Sequence, residues 1–249
     1  IWFIPLIVRF VTWAIKDKPE DEEQTARLKF INAGPIGTAE LALTEAKNEI
    51  CHFAQICHNG LDYIRSAVHA TDEDKFEFYR KKLVKYEEIA DRIEYEIATF
   101  LNALPEENIS EDARQQVKAM YKIIGELESL GDAGESISRI LSRRNIHNKK
   151  FTDKQVEKVD TMLSLVSKAY EVMISNLQNN ENGQAELRRA VDCEIEINDM
   201  RNTLREEEIL RLEQNDSEYH SSVYYLDIIS EIERMGDFII NISEALQKQ

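Results

Sequence analysis

The chain has 249 residues, only 8 glycines and 4 prolines, and 31% charged residues. This composition offers little turn chemistry for strands and hairpins, so it favours an all-α protein of one large domain or two ordinary ones. The net charge of -16 argues against nucleic acid as a partner, because binding phosphates requires a concentrated positive surface. An acidic surface favours cations or basic protein patches instead.

The first 15 residues, IWFIPLIVRFVTWAI, are apolar except for Arg9 and Thr12, and lysines follow at positions 16 and 18. A membrane-spanning helix needs about 20 apolar residues, so this segment is too short to cross a bilayer alone. The basic residues after it are typical of a cytoplasmic juxtamembrane segment. We therefore predict that residues 1–18 are the remnant of a transmembrane or juxtamembrane helix; a buried core helix is the alternative.

Residues 19–37 are predicted to form an acidic linker with a short helix, and six long helices follow. Their apolar residues recur at spacings of three and four, and capping residues or turn residues separate them. The predicted spans are 38–68, 73–104, 110–145, 151–176, 184–213 and about 217 to the end. Long helices joined by short loops lie antiparallel. The sequence therefore predicts two antiparallel three-helix bundles, at residues 38–148 and 149–249.

An internal repeat supports this division. The motif Glu-x-x-Gly-Asp occurs at residues 128–132 and again at 233–237, and these copies are 105 positions apart. A second pair of similar segments, YEEIADRIEYEI and CEIEINDMRNTL, places Glu87 and Asp91 107 positions before Glu194 and Asn198. Two motifs that recur in one order at nearly one offset indicate an internal duplication.

The repeated acids are candidate metal ligands. Residues four apart lie on one helix face, and like charges crowded near a packed face require a compensating cation. We expect two oxygen-rich sites for a divalent or trivalent ion, with Mg, Mn or Fe preferred and Zn as a further option. The predicted ligands of the first site are Glu87, Asp91, Glu128 and Asp132, and those of the second are Glu194, Asn198, Glu233, Asp237 and Asn241. The alternative interpretation is that these acids are solvated surface pairs.

The glycines inside the repeated motif also require an explanation. Glycine costs about 1 kcal/mol relative to alanine in a helix interior. Gly131 and Gly236 occupy the same motif position. We expect each to allow the close approach of another backbone or of a metal cluster.

Histidine and cysteine offer a competing site. Glu49-x-x-His52 has the spacing of ferritin-like di-iron bundles, but the sequence contains no second copy, so an oxidase of that type is a distant alternative. Cys51 and Cys57 are six residues apart, too far around a helix for their neighbouring histidines to converge. We interpret these residues, and Cys193, as core or boundary residues. The odd number of cysteines favours a reducing compartment.

The repeated segments resemble those of a known family. ISEIERMGDFIINISEAL and IGELESLGDAGESISRIL are similar to the E-x-x-x-D signature of PhoU-like domains, and EEIADRIEYEI and CEIEINDMRNTL are similar to the signature of the preceding helix. The resemblance implies two three-helix bundles that bind metal at these acids and a role in controlling phosphate uptake. Ala133 and Phe238 stand where the family often has histidine, which leaves the identity of the metal open.

The segment WFIPLIVRFVTW together with RLKFINAGPIGTAELALTEAKNEI is similar to the junction of bacterial sodium/phosphate cotransporters, where a cytoplasmic PhoU-like region follows the membrane portion. This resemblance implies a non-enzymatic regulatory domain at the cytoplasmic face of the inner membrane. Its expected partners are the transmembrane transport domain of the same polypeptide, a second copy through apolar residues of the first and fourth helices, or a regulatory protein. A structural interaction module without metal is the alternative.

Overall fold

The structure is a computed structural model that describes residues 28–31, 38–104, 110–178, 183–214 and 219–247. The predicted apolar helix at residues 1–18 and most of the predicted linker lie outside these ranges. Residues 28–31, the described part of the linker, form a bend.

Six helices account for almost all of the described residues, and no strand occurs among them. They are α1 (Ala39–His69), α2 (Glu73–Asn102), α3 (Glu111–Ile146), α4 (Asp153–Gln178), α5 (Gly183–Gln214) and α6 (Tyr219–Gln247). The predicted all-α fold class is therefore confirmed. Within the described residues, no helix combines the length and apolar character needed to cross a membrane.

Local capping fixes where several helices begin. Thr38 Oγ1 accepts a hydrogen bond from the Leu41 amide at 3.4 Å, and Ser110 Oγ accepts one from the Ala113 amide at 3.2 Å. At α4, Thr152 and Gln155 form a reciprocal capping box, with bonds of 3.2 and 2.9 Å between side chains and amides. These side chains satisfy amides that have no partner inside the helix, so each start was readable from the sequence.

The two sets of three helices are built alike and share one core. Helices α1, α2 and α3 contact one another, and so do α4, α5 and α6. Helix α3 also packs against α6, and α1 packs against α4. The buried apolar residues of both sets form a single continuous cluster. The helices that carry the repeated Glu-x-x-Gly-Asp motif are thus direct neighbours across the centre of the molecule.

The contact between α1 and α4 bears on the predicted homodimer, which was expected to form through apolar residues of these two helices. His58 on α1 lies 2.9 Å from Ser167 on α4, and His69 Nε2 lies 2.7 Å from Asp160 Oδ2. Among the described residues, Leu41 is the one large apolar side chain of α1 that is strongly exposed, and α4 has none. The apolar faces of these helices therefore pack largely inside the chain.

Candidate metal centre

The motif glycine of α3 lies at a close approach of α2 and α3. A Cβ atom added at Gly131 would lie 2.8 Å from Ala90 Cβ and 3.7 Å from Glu87 Cα. No larger residue fits there unless the helices move apart. The close approach places the acids of α2 beside those of α3, so the glycine serves helix packing and assembles the site at the same time.

The second copy repeats this contact with different residues. A Cβ atom added at Gly236 on α6 would lie 3.1 and 3.2 Å from two methyl carbons of Ile197 on α5. Ile197 stands 107 positions after Ala90, at the same place in the repeat. The duplication inferred from sequence is therefore present in the packing of the helices.

In the first half, three carboxylates converge. Glu87, Asp91 and Asp132 each offer one oxygen, and these three oxygens lie within 4.8 Å of one another. Glu87 is half-buried, whereas Asp91 and Asp132 are exposed at the rim. Among the described residues this is the one group of three acids, histidines or cysteines with such geometry. Three carboxylate oxygens from two helices suit a hard cation, because Mg²⁺, Mn²⁺ and Ca²⁺ prefer oxygen ligands.

Glu128, the fourth predicted ligand of this half, lies beside the three carboxylates but is not one of the converging group. Its Oε2 accepts a hydrogen bond of 3.3 Å from Ser129 Oγ. Burial, followed by the charges of Asp132 and Asp91, raises its pKa. Glu128 is therefore part of the same electrostatic cluster, and a rotation of its side chain would be needed for direct ligation.

The electrostatics of the first half are those of crowded acids. Burial raises the pKa of Glu87, and the Asp91 and Asp132 carboxylates raise it further. Burial and Asp91 likewise raise the pKa of Asp132, against which Arg139 acts in the opposite direction. The ionised cluster is thus unfavourable at neutral pH, and a bound cation would remove the penalty.

The second half has a different arrangement. Arg201 Nη2 on α5 lies 2.6 Å from Glu233 Oε1 on α6. The Asn198 side-chain amide donates a hydrogen bond of 2.6 Å to Glu194 Oε1. Burial raises the pKa values of Glu233 and Asp237, while the Arg201 charge acts to lower both. Two of the predicted ligands, Glu194 and Glu233, are therefore already engaged with groups of the protein itself.

The last predicted ligand, Asn241, is engaged with a residue of the first half. Its amide donates a hydrogen bond of 3.1 Å to Glu126 Oε2 on α3. The bond joins the two halves across the α3–α6 contact.

Sequence reasoning missed two charged residues of these sites, Glu94 and Arg201. Glu94 adds to the negative field at Glu128, and Arg201 places a positive charge directly beside Glu233 in the second half. The difference in charge was visible in the sequence, because Glu94 of the first copy aligns with Arg201 of the second. A comparison of the copies for charge as well as for motif would have marked both residues as candidates, although not their contacts.

The competing Glu49-x-x-His52 site is a structural anchor. Glu49 is fully buried, and its Oε2 accepts hydrogen bonds from the backbone amides of Lys29 at 2.8 Å and Phe30 at 2.7 Å. Its Oε1 lies 3.0 Å from His52 Nδ1. The carboxylate thus fastens residues 28–31 to α1, and in the described part of the chain it belongs to no group of three converging acids, histidines or cysteines. The three cysteines are free thiols, and Cys57 and Cys193 are buried.

Comparisons with known proteins agree with this architecture. Residues 159–246 match the family model described as the PhoU domain. Among solved structures, the phosphate transport system regulatory protein PhoU from Streptococcus pneumoniae matches with a TM-score of 0.67 and 18% identity, covering 84% of this chain and 95% of that one. PhoU from Pseudomonas aeruginosa matches with a TM-score of 0.73 and 12% identity, covering 84% of this chain and 97% of that one. A comparison with curated proteins gives no match.

The fold is therefore that of a pair of three-helix bundles with acid-bearing motifs on adjacent helices. More particularly, the chain contains a PhoU-like domain: residues 159–246 match the model of the PhoU domain, and 84% of the chain has the fold of the solved PhoU structures.

Proposed function

We propose that this chain is a metal-binding regulatory domain that controls phosphate uptake, with its metal held by the first-half carboxylates. The observation that carries the proposal is the convergence of oxygens from Glu87, Asp91 and Asp132 within 4.8 Å. The PhoU-like fold supports the regulatory role, since two of the solved structures that it resembles are PhoU proteins and one of these is named as a regulator of phosphate transport.

The metal would be a hard divalent or trivalent ion, because the three first-half ligands are carboxylate oxygens. When bound, the ion would supply positive charge and a link between α2 and α3. The protein's part is to hold the acids together by the close packing at Gly131. We propose no catalytic step for this site.

The finer proposal is that the domain works on a sodium-dependent phosphate transporter, as the cytoplasmic region of the same polypeptide. Its support is the resemblance of the N-terminal segment to the junction of such transporters. Phosphate uptake by cells that make the full polypeptide tests this proposal. Replacing the three first-half acids with alanine should change uptake or its response to phosphate, and unchanged uptake at normal protein levels would refute the regulatory role.

The metal proposal itself is tested with Mn²⁺ as the probe. The ion should raise the melting temperature of the wild-type chain, because a ligand that binds only the folded state stabilises it. Asp132→Asn should abolish most of that increase. Asp227→Asn, an exposed acid on α6, is the matched control and should leave it unchanged.

The rival function is a helical interaction module whose acids are only solvated. Under that reading Mn²⁺ would produce no stabilisation of the wild type, and Asp132→Asn would behave like the control variant. A metal analysis of the dialysed protein gives an independent answer, because a module without a site retains no ion above the level of the Asp132→Asn variant.

A further inference from the structure

The two copies of the site differ in charge at equivalent positions. Along α2 and α5, Asp91 of the first copy corresponds to Asn198, and Glu94 corresponds to Arg201. The first difference removes one negative charge, and the second replaces a negative charge with a positive one. Both differences act in the same direction, so the second cluster is far less negative than the first.

The Arg201 side chain is placed as a counter-ion. Its Nη2 lies 2.6 Å from Glu233 Oε1, and the two side chains are 29% and 14% exposed. A charge-assisted hydrogen bond in such a partly desolvated place is stronger than a pair on the open surface. The same guanidinium also acts on Asp237, the other acid of the motif.

Asn198 further reduces the repulsion among the acids of the second copy. Its amide donates a hydrogen bond of 2.6 Å to Glu194 Oε1. Asp91, the residue at the same position in the first copy, would instead repel a neighbouring carboxylate. Every acid of the second copy is therefore near a donor or a cation supplied by α5 or α6. In the first copy the equivalent side chains add negative charge.

We propose that the Arg201 guanidinium is a built-in counter-cation that takes the place of a metal ion in the second half. The chain then binds its metal in the first half alone, and the repeat position shared by Glu94 and Arg201 decides which half binds. The selection between halves rests on the proposed metal function; the counter-cation role of Arg201 does not.

Physical reasons indicate that Arg201 excludes a metal ion from the second half rather than sharing the acids with it. Guanidinium remains charged at all ordinary pH values, so it is a permanent positive charge at the motif acids. A second cation would be repelled by it and would have to displace it from Glu233. The rival outcome has a basis too, because the buried oxygen Asn198 Oδ1 has no hydrogen-bond partner and would suit a cation after such a displacement. Metal content distinguishes a second half that excludes the cation from one that binds it.

The first arm counts bound Mn²⁺ by equilibrium dialysis and metal analysis. Arg201→Glu restores the acid of the first copy and should increase bound metal about twofold, because both halves would then bind the ion. Glu94→Arg should abolish binding in a folded protein, since the second half shows that an arginine at this position reaches the motif acids. Circular dichroism of each variant verifies the fold.

The second arm needs no metal. In excess chelator, Arg201→Met should lower the melting temperature, because it removes the positive charge that lies 2.6 Å from Glu233 and leaves the more weakly acting Arg234. Arg205→Met is the matched control: Arg205 is exposed one turn further along α5 and should have little effect.

The outcomes separate the two levels of the inference. Equal melting temperatures for the two methionine variants would overturn the counter-cation role. A folded Arg201→Glu variant with the wild-type metal content, or a wild type that binds metal in both halves, would overturn the selection between halves. If the wild type binds no Mn²⁺ while Arg201→Met alone is destabilised in chelator, the proposed metal function fails and the counter-cation role stands.

Discussion

Alanine at Gly131 tests whether close helix packing is the reason for the motif glycine. The added Cβ would lie 2.8 Å from Ala90 Cβ, whereas carbon atoms in contact prefer about 3.5–4.0 Å. Helices α2 and α3 would therefore separate by about 1 Å at this point. Overpacking of this kind costs about 1–3 kcal/mol. The better helix propensity of alanine returns about 1 kcal/mol, so we expect a net loss of up to about 2 kcal/mol.

The same helix provides the control. A Cβ atom at Gly125 would meet nothing within 4 Å, so Gly125→Ala should show the propensity gain alone. In urea unfolding with chelator present, Gly125→Ala should be more stable than wild type by about 1 kcal/mol. Thermal melting should show shifts of opposite sign, at about 2–4 °C for each kcal/mol.

A compensating change sharpens this test. Ala90→Gly removes the atom that the new methyl group would strike, so the double variant should recover stability beyond the sum of the two single effects. The packing explanation is refuted if Gly131→Ala is as stabilising as Gly125→Ala. The glycine would then need a cause other than the approach of α2.

Two further predictions concern charge and the N-terminal anchor. Because the pKa of Glu87 lies above its usual 4.5 in the folded protein, its contribution to stability is present below pH 4.5 and is lost as pH rises through the folded pKa. In chelator, Glu87→Gln should thus be more stable than wild type near pH 7 and should lose this advantage near pH 4.5, and a difference independent of pH would contradict the raised pKa. Glu49→Ala should release the backbone near Lys29 and speed tryptic cleavage there by at least about tenfold, since each of the two hydrogen bonds to the charged carboxylate contributes about 1.5–3 kcal/mol. Glu45→Ala on the same helix is the control, and equal cleavage rates for the two variants would show that Glu49 does not hold this segment.

The helices and the repeat were predictable because their causes are local. Thr38, Ser110 and Thr152 cap three helices close to their predicted starts at residues 38, 110 and 151. The apolar spacing of three and four then fixes the buried face of each helix without reference to the rest of the chain. The repeat was visible because both copies keep Glu, Gly and Asp in one order.

The site was predictable in part. The expected meeting of Glu87 and Asp91 with Asp132 follows from two neighbouring antiparallel helices whose acids share a face. The sequence could not show that Arg201 lies against Glu233, because the choice of partner depends on side-chain conformation and on the spacing of α5 and α6. It could not place Asn241 either, since Glu126 comes from the other half of the chain.

Contacts between residues distant in the sequence also explain why the role of Glu49 and the packing of the apolar faces of α1 and α4 were not predicted. Glu49 has the spacing of a metal ligand, yet two backbone amides from residues 28–31 occupy its oxygen. Their approach depends on the path of the chain before α1, which no helical pattern describes. The apolar faces of α1 and α4 looked like surfaces for another copy because periodicity shows that a face is apolar but not what covers it.

The contact of α3 with α6 has a consequence for how the protein unfolds. Since these helices belong to different halves and share one buried cluster, separating the halves would expose apolar surface on both. The segment that matches the PhoU domain, residues 159–246, lacks the partners that α4 and α6 find on α1 and α3. The unit of cooperative unfolding is thus larger than the unit of the repeat, and both halves should melt in a single transition.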